Sequence, residues 1–205
     1  MKKALLIGNR DCAGYMSIAA AEKALPEILG YALDTVCEDG FSSIAYEDIK
    51  DYDLIVFMPC DWKDRDNLDA SVELFRYILH GGNMLIVGNG LDVGDRQELK
   101  VISASVYKGS SYYTELDIEP TDLGKKLSGC DETVTVRDIP HFVKPDVFKT
   151  SDLLYSFRYG SVSYPALFAQ KWSRGKVACM ALDLTSESIC ALAPVLKAAA
   201  AYFNS

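Results

Sequence analysis

The sequence predicts an α/β fold built on a mostly parallel sheet. Three observations carry that prediction. Short apolar runs at Lys3–Ile7, Leu54–Met58 and Met84–Val87 stop at Gly8, Pro59 and Gly88, as strands buried on both faces do. The runs alternate with helical stretches across short connections, a rhythm that implies right-handed crossovers between parallel strands. Two later runs, Ala166–Trp172 and Lys176–Leu182, flank a tight Ser173-Arg174-Gly175 turn and read as an antiparallel hairpin.

Taken in order, Lys3–Ile7 is the first buried strand. A helix is expected over about Ala19–Glu38, with Pro26 as a kink or fresh helix start and Gly40 as its terminator. Tyr52–Met58 forms the next strand and runs into a loop, Pro59-Cys60-Asp61-Trp62. Asn67 is placed to cap the following helix. Its apolar positions Leu68, Val72, Phe75 and Leu79 recur at spacings of three or four and predict one buried stripe. Gly81-Gly82 ends that helix, and Met84–Val87 empties into Gly88-Asn89-Gly90-Leu91-Asp92. Residues 100–120 mix Val, Ile and Tyr with Ser and Gly and suggest strands of open order. Thr121–Leu127 reads as a short helix capped by Thr121, with Gly129 just beyond it, and Thr133–Val136 alternates as a strand. Pro140–Pro145 reads as a loop holding His141. Leu153–Phe157 is a strand ahead of the hairpin, and a helix from about Ser186 to Phe203, kinked at Pro194, follows it.

Composition bounds the function. The 205 residues fit one domain spanning 1–205, and 49% hydrophobic with 24% charged residues is enough for an ordinary core. No apolar run approaches the roughly 18 residues of a membrane span. The opening Met-Lys-Lys-Ala-Leu-Leu-Ile-Gly is too short in its apolar part for a secretory signal and reads as a strand. A net charge of −8 argues against nucleic acid, which needs a basic face. The six cysteines form no CxxC pair and only two histidines accompany them, so neither a metal site nor a cofactor is expected. Cys179, inside Val-Ala-Cys-Met-Ala, packs as a small hydrophobe, and a reducing cytoplasm is the simpler setting.

Four segments then narrow the fold. They are Tyr52–Phe57; Phe75–Val87, which joins a helix, a Gly-Gly turn and a strand; Asp152–Phe157, acidic and then tyrosine-bearing; and Ala169–Leu182, with Gly175-Lys176 at its turn and Ala181-Leu182 at its end. In this order they resemble the trehalose-utilisation (ThuA-like) family within the class I glutamine amidotransferase-like fold. The resemblance implies a flavodoxin-like three-layer sandwich with a C-terminal antiparallel hairpin. The same fold also serves as a noncatalytic trimerisation domain in some β-galactosidases. Amidotransferases of this fold place a cysteine on a sharp elbow after the Gly-Gly strand, and matching strand to strand puts Asn89 there. An amide is neither nucleophile nor base at neutral pH. The family's histidine at the end of the last strand is matched by Leu182-Asp183-Leu184-Thr185, which has no imidazole. Both halves of the cysteine–histidine pair are missing, so no catalytic residue is assigned and glutaminase activity is not expected.

In open parallel sheets, ligands collect outside the carboxyl ends of the strands. That rule gathers Asn9 and Arg10, then Cys60, Asp61 and Trp62, then Asn89 and Asp92, and finally Asp183 as a candidate ligand-binding set. Turn formation and helix capping explain any one of these Asn and Asp residues equally well. Cys60 has Asp61 beside it, which disfavours a thiolate. Trp62 offers a flat surface for a sugar ring or a partner subunit, or is a half-buried loop residue. His80 sits at a helix end, where the helix dipole accounts for it. His141 is the one imidazole with room for a catalytic or metal role, and it has no second histidine to help it.

Three functions compete on these residues. The first is a noncatalytic module for a small polar, carbohydrate-related ligand. The second is a hydrolase or lyase for sugar derivatives that works through Asp61, Asp92 or Asp183. The third is an oligomerisation scaffold without a ligand. A homodimer is expected from the 12 tyrosines, a residue type enriched at interfaces, and from the prevalence of symmetric dimers.

Overall fold

A computed structural model of the chain describes residues 2–8, 17–37, 44–58, 68–92, 97–112, 114–137 and 141–205, with the backbone alone at residues 68, 69, 89, 97 and 99. The elements are β1 (Lys3–Gly8), α1 (Ile18–Leu25), β2 (Ala32–Cys37), α2 (Tyr46–Ile49), β3 (Leu54–Met58), α3 (Leu68–Leu79), β4 (Asn83–Val87), α4 (Gln97–Ser103), β5 (Ser105–Ser111) and β6 (Glu115–Pro120). They continue with α5 (Asp122–Ser128), β7 (Val134–Arg137), β8 (Phe142–Val147), β9 (Asp152–Tyr159), β10 (Val162–Trp172), β11 (Gly175–Met180) and α6 (Ala193–Asn204).

One nine-stranded sheet organises the molecule, in the order β2-β1-β3-β4-β11-β10-β9-β6-β7. From β2 through β11 every pairing is parallel, with Ile7 opposite Phe57, Phe57 opposite Ile86 and Val87 opposite Met180. From β11 through β7 every pairing is antiparallel, beginning with the β10–β11 hairpin. The three central runs expected to be parallel neighbours are so. Their side chains are buried almost throughout because helices lie against the sheet from two groups. One group joins α1, α5 and α6, the other α2, α3 and α4, and both pack on the sheet around β11. β5 and β8 pair with each other as a separate antiparallel ribbon.

Local chemistry explains the ends of the elements. The Ser17 hydroxyl accepts the Ala20 amide at 3.2 Å and starts α1. Thr121 accepts the Gly124 amide at 3.2 Å, and Gly129 closes α5 in the left-handed region at φ 69°. Thr121 also donates its hydroxyl to the Leu153 and Leu154 carbonyls, which seats α5 on β9.

The structure corrects five sequence expectations. The helix expected over Ala19–Glu38 ends much earlier. A π-type turn at Pro26–Gly30 closes it with Gly30 at φ 77°, and Ala32–Cys37 is instead the edge strand β2. In α3 the buried face is not the one expected, since Val72 and Leu79 are exposed while Ala70, Ser71, Leu74, Tyr77 and Ile78 are buried. Small residues at 70 and 71 bring this helix close to the sheet, and Tyr77 reaches through to donate to the Tyr52 carbonyl at 2.9 Å. The segment 100–120 begins as helix, α4, before it becomes strand. Most of Pro140–Pro145 is not loop: Phe142–Val147 is β8, held by pairing with β5. Finally, 186–192 is a run of turns, and Pro194 stands in the first turn of α6, where its missing N–H costs nothing, rather than at a kink. The capping role expected of Asn67 lies outside the described residues.

Candidate functional site

The carboxyl ends of β4 and β11 are built as one unit. β4 ends at Val87, and Gly88–Leu91 turn at once into a single 3₁₀ turn. β11 ends at Met180, and the chain continues through Ala181, Leu182 and Asp183, all buried. Asp183 lies flat against Gly88. A Cβ added to Gly88 would come within 1.7 Å of its Oδ1, and Gly88 adopts φ 51°. A side chain at 88 is therefore excluded twice, by space and by backbone conformation.

A second element crosses this edge. Leu182 forms an antiparallel bridge with Phe142, and the Val143 amide donates to the Ala181 carbonyl at 2.9 Å. β8 thereby docks beside the end of β11 and brings His141, the residue just ahead of it, over Asp183. The His141 Nδ1 and Asp183 Oδ2 are 2.8 Å apart, and both side chains are buried, Asp183 completely. An ionised carboxylate only accepts, so in this bond the His141 Nδ1–H donates to Asp183. The Tyr112 ring meets the imidazole edge-on at 5.6 Å between centroids, and Tyr112 itself is 59% exposed. Asp92, directly after the 3₁₀ turn, is also buried.

The turn after Asp183 is held from within. Thr185 and Ser188 exchange amide-to-hydroxyl bonds at 2.9 and 3.0 Å, and the Ser188 hydroxyl donates to the Asp183 carbonyl at 3.3 Å. The Ser17 amide donates to the Leu184 carbonyl at 2.8 Å, tying the start of α1 to the same edge. A carboxylate whose backbone is held in this way fixes the orientation of the imidazole it bonds.

Of the residues expected to bind a ligand, Asp183 and Asp92 occupy this edge, and Asn89 lies in the 3₁₀ turn, the neighbour of Gly88. Asn9, Arg10, Cys60, Asp61 and Trp62 lie outside the described residues. The end of β11 carries no imidazole of its own, as expected, and His141 meets Asp183 there from 42 positions earlier in the chain. His80 is placed as expected at the end of α3, with its Nδ1 2.8 Å from the Arg76 carbonyl. Cys179 is buried within β11, and burial pushes its thiol far above the usual range, so it is no thiolate. Among the described residues no group of three or more His, Cys, Asp or Glu side chains could hold a metal ion.

No family model matches the sequence, and no curated protein matches it. Solved structures do. A protein of Bacteroides uniformis described as ThuA-like superposes with a TM-score of 0.69 at 13% identity, over 98% of this chain and 89% of that one. The chain has the ThuA-like fold. A cytoplasmic protein of Salmonella typhimurium matches with a TM-score of 0.71 at 14% identity, over 96% of this chain and 97% of its own. The β-galactosidase of Rahnella sp. R3 matches with a TM-score of 0.64 at 12% identity, over 96% of this chain but only 31% of its own, so the likeness is to one part of a larger enzyme. The four segments that resemble ThuA-like proteins fall on β3, on α3 with β4, on β9 and on the β10–β11 hairpin. Of these, β4 and β11 carry the Gly88–Asp183 edge.

Proposed function

We propose that this ThuA-fold chain binds a small, neutral polar ligand of the polyol or sugar class at the carboxyl edge of its sheet, and that it has no glutaminase activity. The buried His141–Asp183 pair beside the Gly88 turn carries this reading. A completely buried carboxylate paired with an imidazole at a strand end is costly to assemble unless a site uses it. Asp183 and Asp92 would oppose an anion there, while hydroxyl groups can both donate to carboxylates and accept from an amide such as Asn89. The parallel strand order β2-β1-β3-β4-β11 is that of flavodoxin-like sheets, whose ligands bind at this edge, and it supports a class I glutamine amidotransferase-like three-layer sandwich.

The deciding experiment is native mass spectrometry of the purified protein, followed by titration of whatever neutral polyol co-purifies. Trp62→Ala should abolish that binding and leave Tm nearly unchanged. A stability loss of about 3–5 kcal/mol would instead mark Trp62 as core and remove it from the site. A cytoplasmic homodimer belongs to the same reading, and a single monomeric mass by light scattering at micromolar concentration would reject the dimer.

A second reading, a hydrolase or lyase acting on sugar derivatives, is favoured by Asp92 and Asp183 both being buried at one edge.

A further inference from the structure

We propose that two copies of this chain join through the groove between α1 and the 186–197 segment, in an isologous dimer whose α1 helices pack antiparallel. This surface rests on the homodimer reading above and gives that dimer its contact.

Two adjoining cavities of about 540 and 340 Å³ make the groove, and they share Ala24, Glu27 and Cys190. One end holds Ser17 and Ser186, where the Ser17 amide bonds the Leu184 carbonyl, so the groove starts at the carboxyl edge of the sheet. It follows α1 and the Pro26–Gly30 turn as far as Lys197 on α6. The spacing of residues in α1 and this turn explains its shape. Ile18, Ala21, Leu25 and Leu29 recur every three or four positions and face the core. Ala20, Ala24 and Ile28 form the next row, half-buried, and make the floor. Ala19, Lys23 and Glu27 form the exposed row beyond it. Alanine at 20 and 24 leaves room for a second helix to come close, because interaxial distance follows the size of the side chains at the contact.

The occupant follows from charge and shape together. Lys23 and Glu27 stand one turn apart with opposite signs, and neither forms an ion pair with another described residue. A two-fold axis passing between them reverses their order, so Glu27 of each copy meets Lys23 of the other. The exposed row Ala19, Lys23 and Glu27 is also an i, i+4, i+8 ridge, the kind that packs into the matching groove of a second helix. Under a two-fold each copy supplies one ridge and one groove. Whole copies repel, since each carries a net charge of −8, but the lining of this groove sets Lys23 and Lys197 against Glu27 and does not add to that repulsion. Cys190 is exposed, is common to both cavities and lies with Ala24 and Glu27, which places the two Cys190 thiols of a dimer near the axis.

Charge reversal, in separate and in mixed samples, tests the surface. By light scattering across a dilution series, the wild-type chain should show the dimer mass. Lys23→Glu and Glu27→Lys each set like charges face to face, and each should weaken dimerisation about tenfold or more without changing Tm. An equimolar mixture of the two variants should recover the dimer mass as a heterodimer, an outcome that charge effects within one copy cannot produce. A monomeric wild type overturns both this surface and the homodimer. A wild-type dimer that neither variant weakens, or variants whose mixture stays monomeric, overturns the surface and leaves the homodimer standing. If a variant does not fold, the wild-type chain still decides. A short bis-maleimide should join the Cys190 peptide to a second copy of itself, and a dimer in which that link never forms would reject this face.

Discussion

Gly88 is where the site is most sensitive to one atom. A methyl group there would need the space of the Asp183 carboxylate oxygen, and the φ of 51° already disfavours any L side chain. Gly88→Ala should cost about 1–2 kcal/mol from the backbone alone. The displaced Asp183 adds to that, and urea denaturation with 15N NMR of His141 should show lower stability and loss of the Nδ1 bond together. The resemblance to amidotransferases implies a thiol where the sequence has Asn89, its neighbour, so glutamine should yield no ammonia. Ammonia release that any cysteine substitution abolishes would contradict that expectation. Asp183 was legible from sequence because it follows an apolar strand, as Asp92 follows the Gly88 turn. The pairing of His141 with Asp183 was not, because it depends on the Phe142–Leu182 bridge, a contact with no local sequence signature.

At the scale of elements, two glycines separate packing from conformation. Gly175, at the start of β11, would place a Cβ 2.4 Å from the Ile78 and Gly82 carbonyl oxygens, both rigid backbone at the end of α3. Gly160, between β9 and β10, has φ 63° and nothing within 4 Å of an added Cβ. Gly160→Ala should therefore cost about 1 kcal/mol. Gly175→Ala should cost about 3 kcal/mol, because α3 and β11 must part. Chemical denaturation of the two variants would reverse this expectation if Gly160→Ala proved the worse. Cap chemistry made α5 readable to within a residue, since Thr121 and Gly129 act locally. The β2 strand was hidden because its apolar residues continue the helical pattern of α1, and only the reversal at Gly30 separates them. The face of α3 was misassigned for a related reason. Two stripes of apolar residues overlap on it, and closeness to the sheet selected the one containing Ala70 and Ser71.

For the whole molecule, the parallel centre was readable because continuous apolar runs leave a strand no solvent face. The antiparallel half was less so, since residues 100–120 mix Val, Ile and Tyr with Ser and Gly, and β5 and β8 pair outside the main sheet. Tyrosine burial sets the alkaline limit of stability. The hydroxyls of Tyr77, Tyr155 and Tyr202 are all pushed above the ordinary value of 10.0, with burial the largest cause in each. The folded protein keeps these protons where the unfolded chain has lost them. Their contribution is therefore complete below about pH 10 and falls as pH rises through the folded values. Tm should be nearly flat from neutral pH to that point and then drop, with a shallower drop in Tyr77→Phe. An unchanged slope in that variant would assign the alkaline loss to other groups.

The position of β11 between β4 and β10 has a consequence for synthesis. β1, β3 and β4 can pair once residue 87 has left the ribosome, but the free edge of β4 waits for Gly175–Met180. Through that interval a nascent chain carries an open, apolar strand in the middle of its future core, the kind of edge that recruits other chains. Closing it requires contacts of long sequence separation, which slow folding. A chain stopped after Trp172 should accumulate in the insoluble fraction. Co-expression of residues 173–205 as a separate peptide should return part of it to solution.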